Sequence, residues 1–176
     1  MTDPDPIAAA YEQWVDHGWA DAADGMALVT SITRAHQLLV ERIEETLRPH
    51  GLTFARYEIL RLLAFSRRRS MPMSRLGSLL QVHATSVTSA VSRLESQGLV
   101  ERLRRESDRR VVLASLTAAG EALVERATAD LNAQVFTSPG IDTDAVRTAT
   151  ELLSALRSAH GDTVSSADGR AARLEA

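Results

Sequence analysis

The sequence predicts a mainly α-helical protein with one small β-hairpin, which is an α+β fold class. Apolar residues recur at helical steps of three and four over most of the 176-residue chain. One segment, from Leu99 to Leu116, is instead rich in Val and Leu with partial alternation on either side of a polar link, as in two paired strands. Since 44% of the residues are hydrophobic, one globular unit of ordinary size is expected.

Two helices are predicted in residues 1–50. A short one covers about Ile7 to Gly18, after a start rich in acids and proline. A long amphipathic helix follows and ends at Pro49 and Gly51. Its apolar stripe consists of Leu28, Ile32, Ala35, Leu39, Ile43 and Leu47.

A short helix is predicted after Thr53, whose hydroxyl can cap its first turn. The run Arg67-Arg68-Arg69-Ser70 ends its apolar pattern. A short helix from Ser74 to Leu80, a turn at Val82-His83-Ala84 and a second helix then form the layout of a helix-turn-helix.

That second helix covers about Thr85 to Gln97 and ends at Gly98, which suits the left-handed residue after a helix. Its inward residues are predicted to be Val87, Val91 and Leu94.

The hairpin consists of Leu99 to Arg104 and Arg110 to Leu116. The stretch from Gly51 to Thr117 is therefore predicted to form one lobe, residues 51–117. Two C-terminal helices fill residues 118–160, the first capped by Thr117 and carrying a stripe of Leu123, Ala127, Leu131 and Val135. Residues 161–176 are small and polar and are predicted to be a disordered tail.

Positive charge is concentrated in the middle of the chain. The net charge is −3, but the segment from Arg67 to Arg110 holds ten arginines and four acids, a net charge of +6, which leaves −9 for the rest. Five of the arginines fall between Leu99 and Arg110. Such a segment is either a solvated charge run or a face that binds a polyanion.

The outward face of the helix from about Thr85 to Gln97 favours the interpretation that this segment binds a polyanion. Advancing 100° per residue places mostly hydroxyl side chains opposite the core. Four such positions lower helix propensity by roughly 1.5–2 kcal/mol, whereas short hydroxyls let a helix approach base edges and phosphates closely. The alternative is that these hydroxyl residues have no function and reflect random drift in a chain rich in Ala, Ser and Thr. The predicted DNA-binding residues here are His83, Thr85, Ser86, Thr88, Ser89, Ser92 and Arg93.

The hairpin extends the predicted DNA surface, because a basic hairpin after a recognition helix forms the wing of a winged helix. Arg102, Arg104 and Arg105 are predicted mainly to neutralise phosphate. Asp108 is predicted to accept hydrogen bonds at the tip and to orient Arg110, so that Arg109 and Arg110 face the minor groove. The alternative is that the arginines only keep an edge strand soluble.

The sequence resembles the MarR (multiple antibiotic resistance regulator) family of winged helix-turn-helix transcription factors. The resemblance is carried by MSRLGSLLQVHATSVTSAVSRLESQGLVERLRRESDRRVVLASLTAAG, starting at Met73, with GLTFARYEIL upstream at Gly51. The helices and strands agree with the family in number and order, with a short first strand at Met71 to Met73. Several members of the family carry Arg at the place of Ser89, and here no Arg, Asn or Gln stands on the outward face near the start of the helix, so this chain is expected to rely more on shape readout by the wing than on bidentate contacts to bases. His83, where the family often has Ser, is expected to cap the helix or to contact a phosphate.

The resemblance implies a homodimer whose long N- and C-terminal helices interlock while two winged helices bind a palindromic operator in double-stranded DNA. Half-sites would lie about one helical turn, 10–10.5 bp, apart. It also implies a repressor that a small aromatic or phenolic effector releases. Trp14 and Trp19 in the extra N-terminal helix are expected to line the effector pocket with His36 and Glu58. Alternatively, both tryptophans only pack this helix onto the dimer core.

Other classes of protein fit less well. The chain has no cysteine, its five histidines have no metal-ligand spacing, and it carries no phosphate-binding glycine motif, so we expect no enzyme, cofactor or metal. No apolar run spans a bilayer and the N-terminus is acidic, which predicts a cytoplasmic protein without a membrane partner. The rival to a DNA-binding regulator is a winged-helix module that binds another protein and not DNA.

Overall fold

The computed structural model describes residues 5–105 and 108–164, and of residues 105 and 108–110 it describes the backbone only. Within these ranges the chain is mostly helical with one three-stranded antiparallel sheet, which confirms the predicted fold class. The chain divides into two compact units, Met1–Leu131 and Asn132–Ala176.

Two helices begin the first unit. Helix α1 (Pro6–Asp16) starts at a cap formed by Asp5, whose carboxylate accepts a hydrogen bond from the backbone N–H of Ile7 at 3.0 Å. Helix α2 (Ala20–Leu47) begins well before the predicted apolar stripe, because residues 20–25 carry no large apolar side chain that would mark them. It ends in a 3₁₀ turn (Arg48–His50) and a left-handed Gly51 with φ of 66°, as predicted.

The helix-turn-helix forms where the sequence predicts it. Helix α3 (Phe54–Phe65) is followed by strand β1 (Ser70–Pro72), helix α4 (Met73–Leu80) and helix α5 (Ala84–Ser96). Gly98, with φ of 71°, lies just beyond the end of α5. The predicted inward residues of α5 are all buried, namely Val87, Val91 and Leu94.

The hairpin is longer than predicted. Strands β2 (Val100–Arg105) and β3 (Asp108–Leu116) extend into the polar stretch that the sequence assigns to the link, and β1 completes a sheet of order β1-β3-β2. Leu103 pairs with Leu113, and the register shifts between Arg104 and Arg105. We call this β2–β3 hairpin, residues 100–116, the wing.

Helix α6 (Ala118–Leu131) closes the first unit. The hydroxyl of Thr117 accepts a hydrogen bond from the N–H of Gly120 at 3.0 Å and donates one to the carbonyl of Gly98 at 2.8 Å, which confirms the predicted cap. Of the predicted stripe, Ala127, Leu131 and Val135 are buried, whereas Leu123 is only half-buried and Val124 takes its place on the inward face.

The core of the first unit lies between α3, α5, α6 and the sheet. Its fully buried side chains are aliphatic, and each contributes roughly 1.5–3 kcal/mol by leaving water. They include Leu60, Leu63, Leu76, Val91, Leu94 and Val124. This packing holds α5 and the wing on one lobe.

The second unit contains a π-helical turn (Asn132–Phe136) and helix α7 (Thr143–Ala159), which is capped by the Asp142 carboxylate at 2.9 Å from the N–H of Ala145. After α7, Arg157 pairs with Asp162 at 2.6 Å. The rest of the predicted tail, residues 165–176, lies outside the described residues. Among the described helices, none is long and apolar enough to cross a membrane.

Candidate nucleic-acid interface

The exposed face of α5 carries hydroxyls of two kinds. Those of Thr88, Ser92 and Ser96 donate to carbonyl oxygens of their own helix at 2.8–2.9 Å. Those of Thr85, Ser86 and Ser89 are exposed, and within the described ranges no hydrogen bond occupies them. The first two turns of α5 therefore present donors and acceptors that are available to a ligand.

His83 precedes the first turn of α5 in an extended conformation, with φ of −60° and ψ of 145°. Its carbonyl oxygen accepts from the N–H of Ser86 at 2.9 Å. The ring makes no capping hydrogen bond to any described residue, so helix capping does not explain this histidine. Its exposed ring lies beside the hollow between α4 and α5.

Arg102 ties the wing to α5. Its guanidinium donates to the carbonyl of Thr88 at 3.0 Å and to the hydroxyl of Ser92 at 2.5 Å. It also lies 3.4 Å from the Glu95 carboxylate, which in turn accepts from the backbone N–H of Arg102 at 3.2 Å. The role predicted for Arg102, to neutralise a DNA phosphate, does not explain these contacts within the protein. A contact between Arg102 and DNA stays a prediction.

The other predicted wing residues are less completely defined. Arg104 is exposed on β2, opposite Val112 of β3. The side chains of Arg105, Asp108, Arg109 and Arg110 lie outside the described residues. The backbone places these four positions at the end of the wing, so the predicted contacts with the minor groove stay predictions.

A groove runs between the start of α3 and the exposed face of α5. It has a volume of about 540 Å³ and is lined by Thr53, Arg56, Thr85, Ser86, Ser89, Ala90 and Arg93. This set contains two arginines, four hydroxyls and no acid. The groove therefore suits an anion.

The start of α3 is capped differently from the prediction. The Glu44 carboxylate on α2 accepts from the N–H of Phe54 at 2.8 Å, and the hydroxyl of Thr53 accepts instead from Nε of Arg56 at 3.1 Å. Thr53 thus orients an arginine and does not cap the helix.

Sequence reasoning missed the roles of Glu95 and Arg56, and it assigned Thr53 to a helix cap. A signal existed for Arg56, because a cation in the first turn of a helix opposes the helix dipole by about 0.3–1 kcal/mol and so invites a functional explanation. The link made by Glu95 and the cap made by Glu44 in place of Thr53 depend on tertiary packing, which no local pattern reports.

The predicted effector residues are only partly brought together. The rings of Trp14 and Trp19 meet edge to face, with centroids 5.5 Å apart, and Trp19 is 54% exposed. Within the described ranges, no hydrogen bond, ion pair or ring contact joins them to His36 or Glu58. Burial raises the pKa of the Glu58 carboxyl on α3. Across the described residues, no group of three or more acids or histidines could hold a metal ion.

Comparisons of sequence agree with this geometry. The sequence profile of the MarR family matches residues 52–112. The organic hydroperoxide resistance transcriptional regulator of Bacillus subtilis is 36% identical over 77 residues, which are 44% of this chain and 51% of that protein. The chain thus spans about half the length of this relative. The homoprotocatechuate degradative operon repressor of Escherichia coli is 32% identical over 101 residues, covering 57% and 67% of the two chains.

Comparisons of structure extend over more of the chain. The fold is similar to the crystal structure of Sco5413, a MarR family transcriptional regulator from Streptomyces coelicolor, with a TM-score of 0.73, 42% identity, and 81% and 99% of the two chains covered. It is also similar to a mutant of the Escherichia coli MarR protein complexed with operator DNA, with a TM-score of 0.69, 26% identity, and 77% and 96% covered. The chain therefore belongs to the MarR family of transcriptional regulators.

Proposed function

We propose that this regulator is a homodimer that binds a palindromic operator in double-stranded DNA and represses transcription until a small aromatic or phenolic ligand releases it. The observation that carries the DNA-binding part is the placement of α5, with its unoccupied hydroxyls, beside a wing rich in arginine. Phosphate contacts from arginines would position the protein, and the hydroxyls of α5 would approach the bases. The name of the Escherichia coli repressor and the operator complex of the MarR mutant support this proposal.

Specificity in this proposal comes mainly from the wing. Thr85, Ser86 and Ser89 make single hydrogen bonds and discriminate weakly between base pairs, whereas an arginine at the end of the wing can read a narrow minor groove. Arg109 and Arg110 are the proposed groove residues, and Arg104 and Arg105 the proposed phosphate ligands. The proposed DNA-binding lobe is residues 51–117.

The DNA-binding part is tested by selecting operators from random duplexes at a fixed salt concentration, with Arg110→Ala as the comparison. We expect a palindromic site, affinity that falls steeply with the logarithm of salt concentration, and a loss of about 1–3 kcal/mol for the variant. If no duplex binds at any salt concentration, the lobe is a protein-interaction module and the proposal fails. If Arg110→Ala binds as tightly as the wild type, the wing is not part of the interface.

The homodimer accounts for apolar surface that one protomer leaves uncovered. Leu28, Val29, Leu38 and Leu39 of α2 are each more than 40% exposed, although they lie on or next to the predicted apolar stripe. A second copy of the chain would bury them, and burial of apolar area is the main force in association. Sedimentation equilibrium should give twice the 19.1 kDa mass of the chain. A monomer at micromolar concentration would refute this part.

The effector part rests on the Trp14–Trp19 pair and on the name of one relative. Homoprotocatechuate, in the name of the Escherichia coli relative, is a phenolic acid, and the Trp14–Trp19 pair offers a partly exposed aromatic surface that an aromatic ring could stack against. Phenolic acids should quench or shift tryptophan fluorescence and weaken operator binding together. Trp19→Leu should remove both responses. If no acid changes either signal, the tryptophans serve packing alone.

A further inference from the structure

We infer that Arg56 on α3 and Arg93 on α5 together hold one backbone phosphate of the bound duplex, in a seat that Thr53 keeps open by orienting Arg56. This inference rests on the proposed function and deepens it, since Arg56 lies outside the helix-turn-helix and the wing. The seat is the groove of Thr53, Arg56, Thr85, Ser86, Ser89, Ala90 and Arg93 described above.

The two guanidiniums are free to act on an external anion. Neither forms an ion pair with a carboxylate in the part of the chain that the structure describes. Other arginines of the same unit are engaged, since Arg61 pairs with Glu125, Arg69 with Glu121 and Arg102 with Glu95. The groove is thus lined by two cations that no described carboxylate neutralises.

Thr53 fixes the orientation of Arg56 in the groove. Its hydroxyl accepts from Nε of Arg56, which fixes one edge of the guanidinium and leaves the two Nη groups to donate. Thr53 can do this because Glu44 caps α3 in its place. A fixed planar fork matches the oxygens of a phosphate and loses little entropy on binding.

A backbone phosphate is the anion that the surroundings favour. The groove is continuous with the exposed hydroxyl face of α5, because Thr85, Ser86 and Ser89 line both. When that face approaches base edges, the strand that borders the same groove of the DNA must pass close by, with one charge per phosphate. Arg56 would therefore fix the angle at which α5 enters the duplex.

The test combines protein variants with operators that carry one neutral methylphosphonate at each position in turn. With wild-type protein, we expect several phosphates in each half-site to be sensitive, and one of them, the phosphate that faces the groove, to lower affinity about tenfold when neutralised. Arg56→Ala should bind the unmodified operator about tenfold more weakly, with a salt slope smaller by about one, and should lose most of its sensitivity at that one position, with the remainder due to Arg93. Arg126→Ala removes the same charge from α6, outside the groove lining, and should retain wild-type affinity.

Thr53→Val tests the orienting role separately. It should weaken binding about threefold in the wild-type background and have no effect in the Arg56→Ala background, because the hydroxyl acts through the guanidinium. Thermal unfolding of each variant distinguishes loss of contact from loss of fold. If Arg56→Ala keeps wild-type affinity, or keeps its sensitivity at every methylphosphonate position, the proposed phosphate site is refuted. The proposal that the protein binds DNA is then unaffected. If the wild-type protein binds no duplex, both the seat and the proposed function fall.

Discussion

Arg102 of the wing and Glu95 of α5 are joined twice, by an ion pair at 3.4 Å and by a hydrogen bond from the backbone N–H of Arg102 at 3.2 Å. The two residues lie on opposite sides of the turn at Gly98, so together they set the angle between the helix and the hairpin. This arrangement makes Arg102 a positioning residue.

Arg102→Ala should lower the free energy of unfolding by about 1–2 kcal/mol, because the variant loses the bonds to Thr88, Ser92 and Glu95. The loss stays modest, since the Arg102 and Glu95 side chains are 29% and 40% exposed and water screens their charges. Arg104→Ala, an exposed neighbour on the same strand, should change stability by less than about 0.5 kcal/mol. Urea denaturation measures the free energy of unfolding of both variants. Equal losses would show that the Arg102 contacts with α5 do not stabilise the protein.

Operator binding should separate Arg102 from Arg104 in a second way. A residue that neutralises phosphate contributes about 0.9 to the salt slope, whereas a residue that positions the wing changes affinity without changing the slope. We expect a smaller slope for Arg104→Ala and an unchanged slope with weaker binding for Arg102→Ala. A reduced slope for Arg102→Ala would show that its guanidinium leaves Glu95 for the DNA.

Gly120→Ala should destabilise the protein although Ala favours helices. A Cβ at Gly120 would clash with the backbone carbonyl oxygen of Leu99 and approach the Leu116 side chain to 2.9 Å. The overpacking outweighs a propensity gain of about 1 kcal/mol, so a net loss of roughly 1–3 kcal/mol is expected. Gly77→Ala is the matched control, since its Cβ would meet nothing closer than 3.5 Å and should be neutral or stabilising. Thermal unfolding that ranks the two in the opposite order would refute the close approach.

Helical periodicity explains why so much of the fold could be predicted. Val87, Val91 and Leu94 identify the buried face of α5 by spacing alone, and Gly51 and Gly98 mark helix ends because both adopt positive φ. The early start of α2 escaped prediction because residues 20–25 carry no large apolar side chain. Local sequence patterns predict a helix boundary where apolar or capping residues mark it, and they miss a boundary that has neither.

The candidate site was predictable in composition but not in its connections. The hydroxyls of α5 and the arginines of β2 follow from spacing and charge. Whether an arginine forms an ion pair depends on neighbours distant in sequence. Arg61 of α3, for example, bonds to Glu125 and to the carbonyl of Val124, both on α6. The exchange of roles between Glu44 and Thr53 at the start of α3 likewise needs α2 to pack beside it.

Glu58→Gln should stabilise the protein at neutral pH. Burial raises the pKa of this carboxyl in the folded state above its usual value near 4.5, so the folded protein holds the proton more tightly than the unfolded chain does. The stability that the bound proton provides is therefore fully present below the pKa of the unfolded state. It is lost as pH rises through the pKa of the folded state. Melting temperatures of the variant and the wild type should differ at pH 7 and converge near pH 4. A constant difference across this range would mean that Glu58 does not titrate with folding.

The contact between His50 and Asp130 should control how firmly the end of α2 is attached to α6. Nε2 of His50 lies 2.7 Å from the Asp130 carboxylate, and the histidine side chain is only 11% exposed. Asp130→Ala leaves a largely buried ring nitrogen without its partner, which should lower the free energy of unfolding by about 1–3 kcal/mol. Asp130→Asn keeps an amide oxygen that can accept the same hydrogen bond and should lose less than about 1 kcal/mol. Hydrogen exchange at the amides of Gly51 and Leu52, which bond to the carbonyls of Arg48 and Leu47, should accelerate in Asp130→Ala and not in Asp130→Asn. Equal stability and exchange in both variants would show that packing alone, and not this bond, fixes the long helix on the lobe.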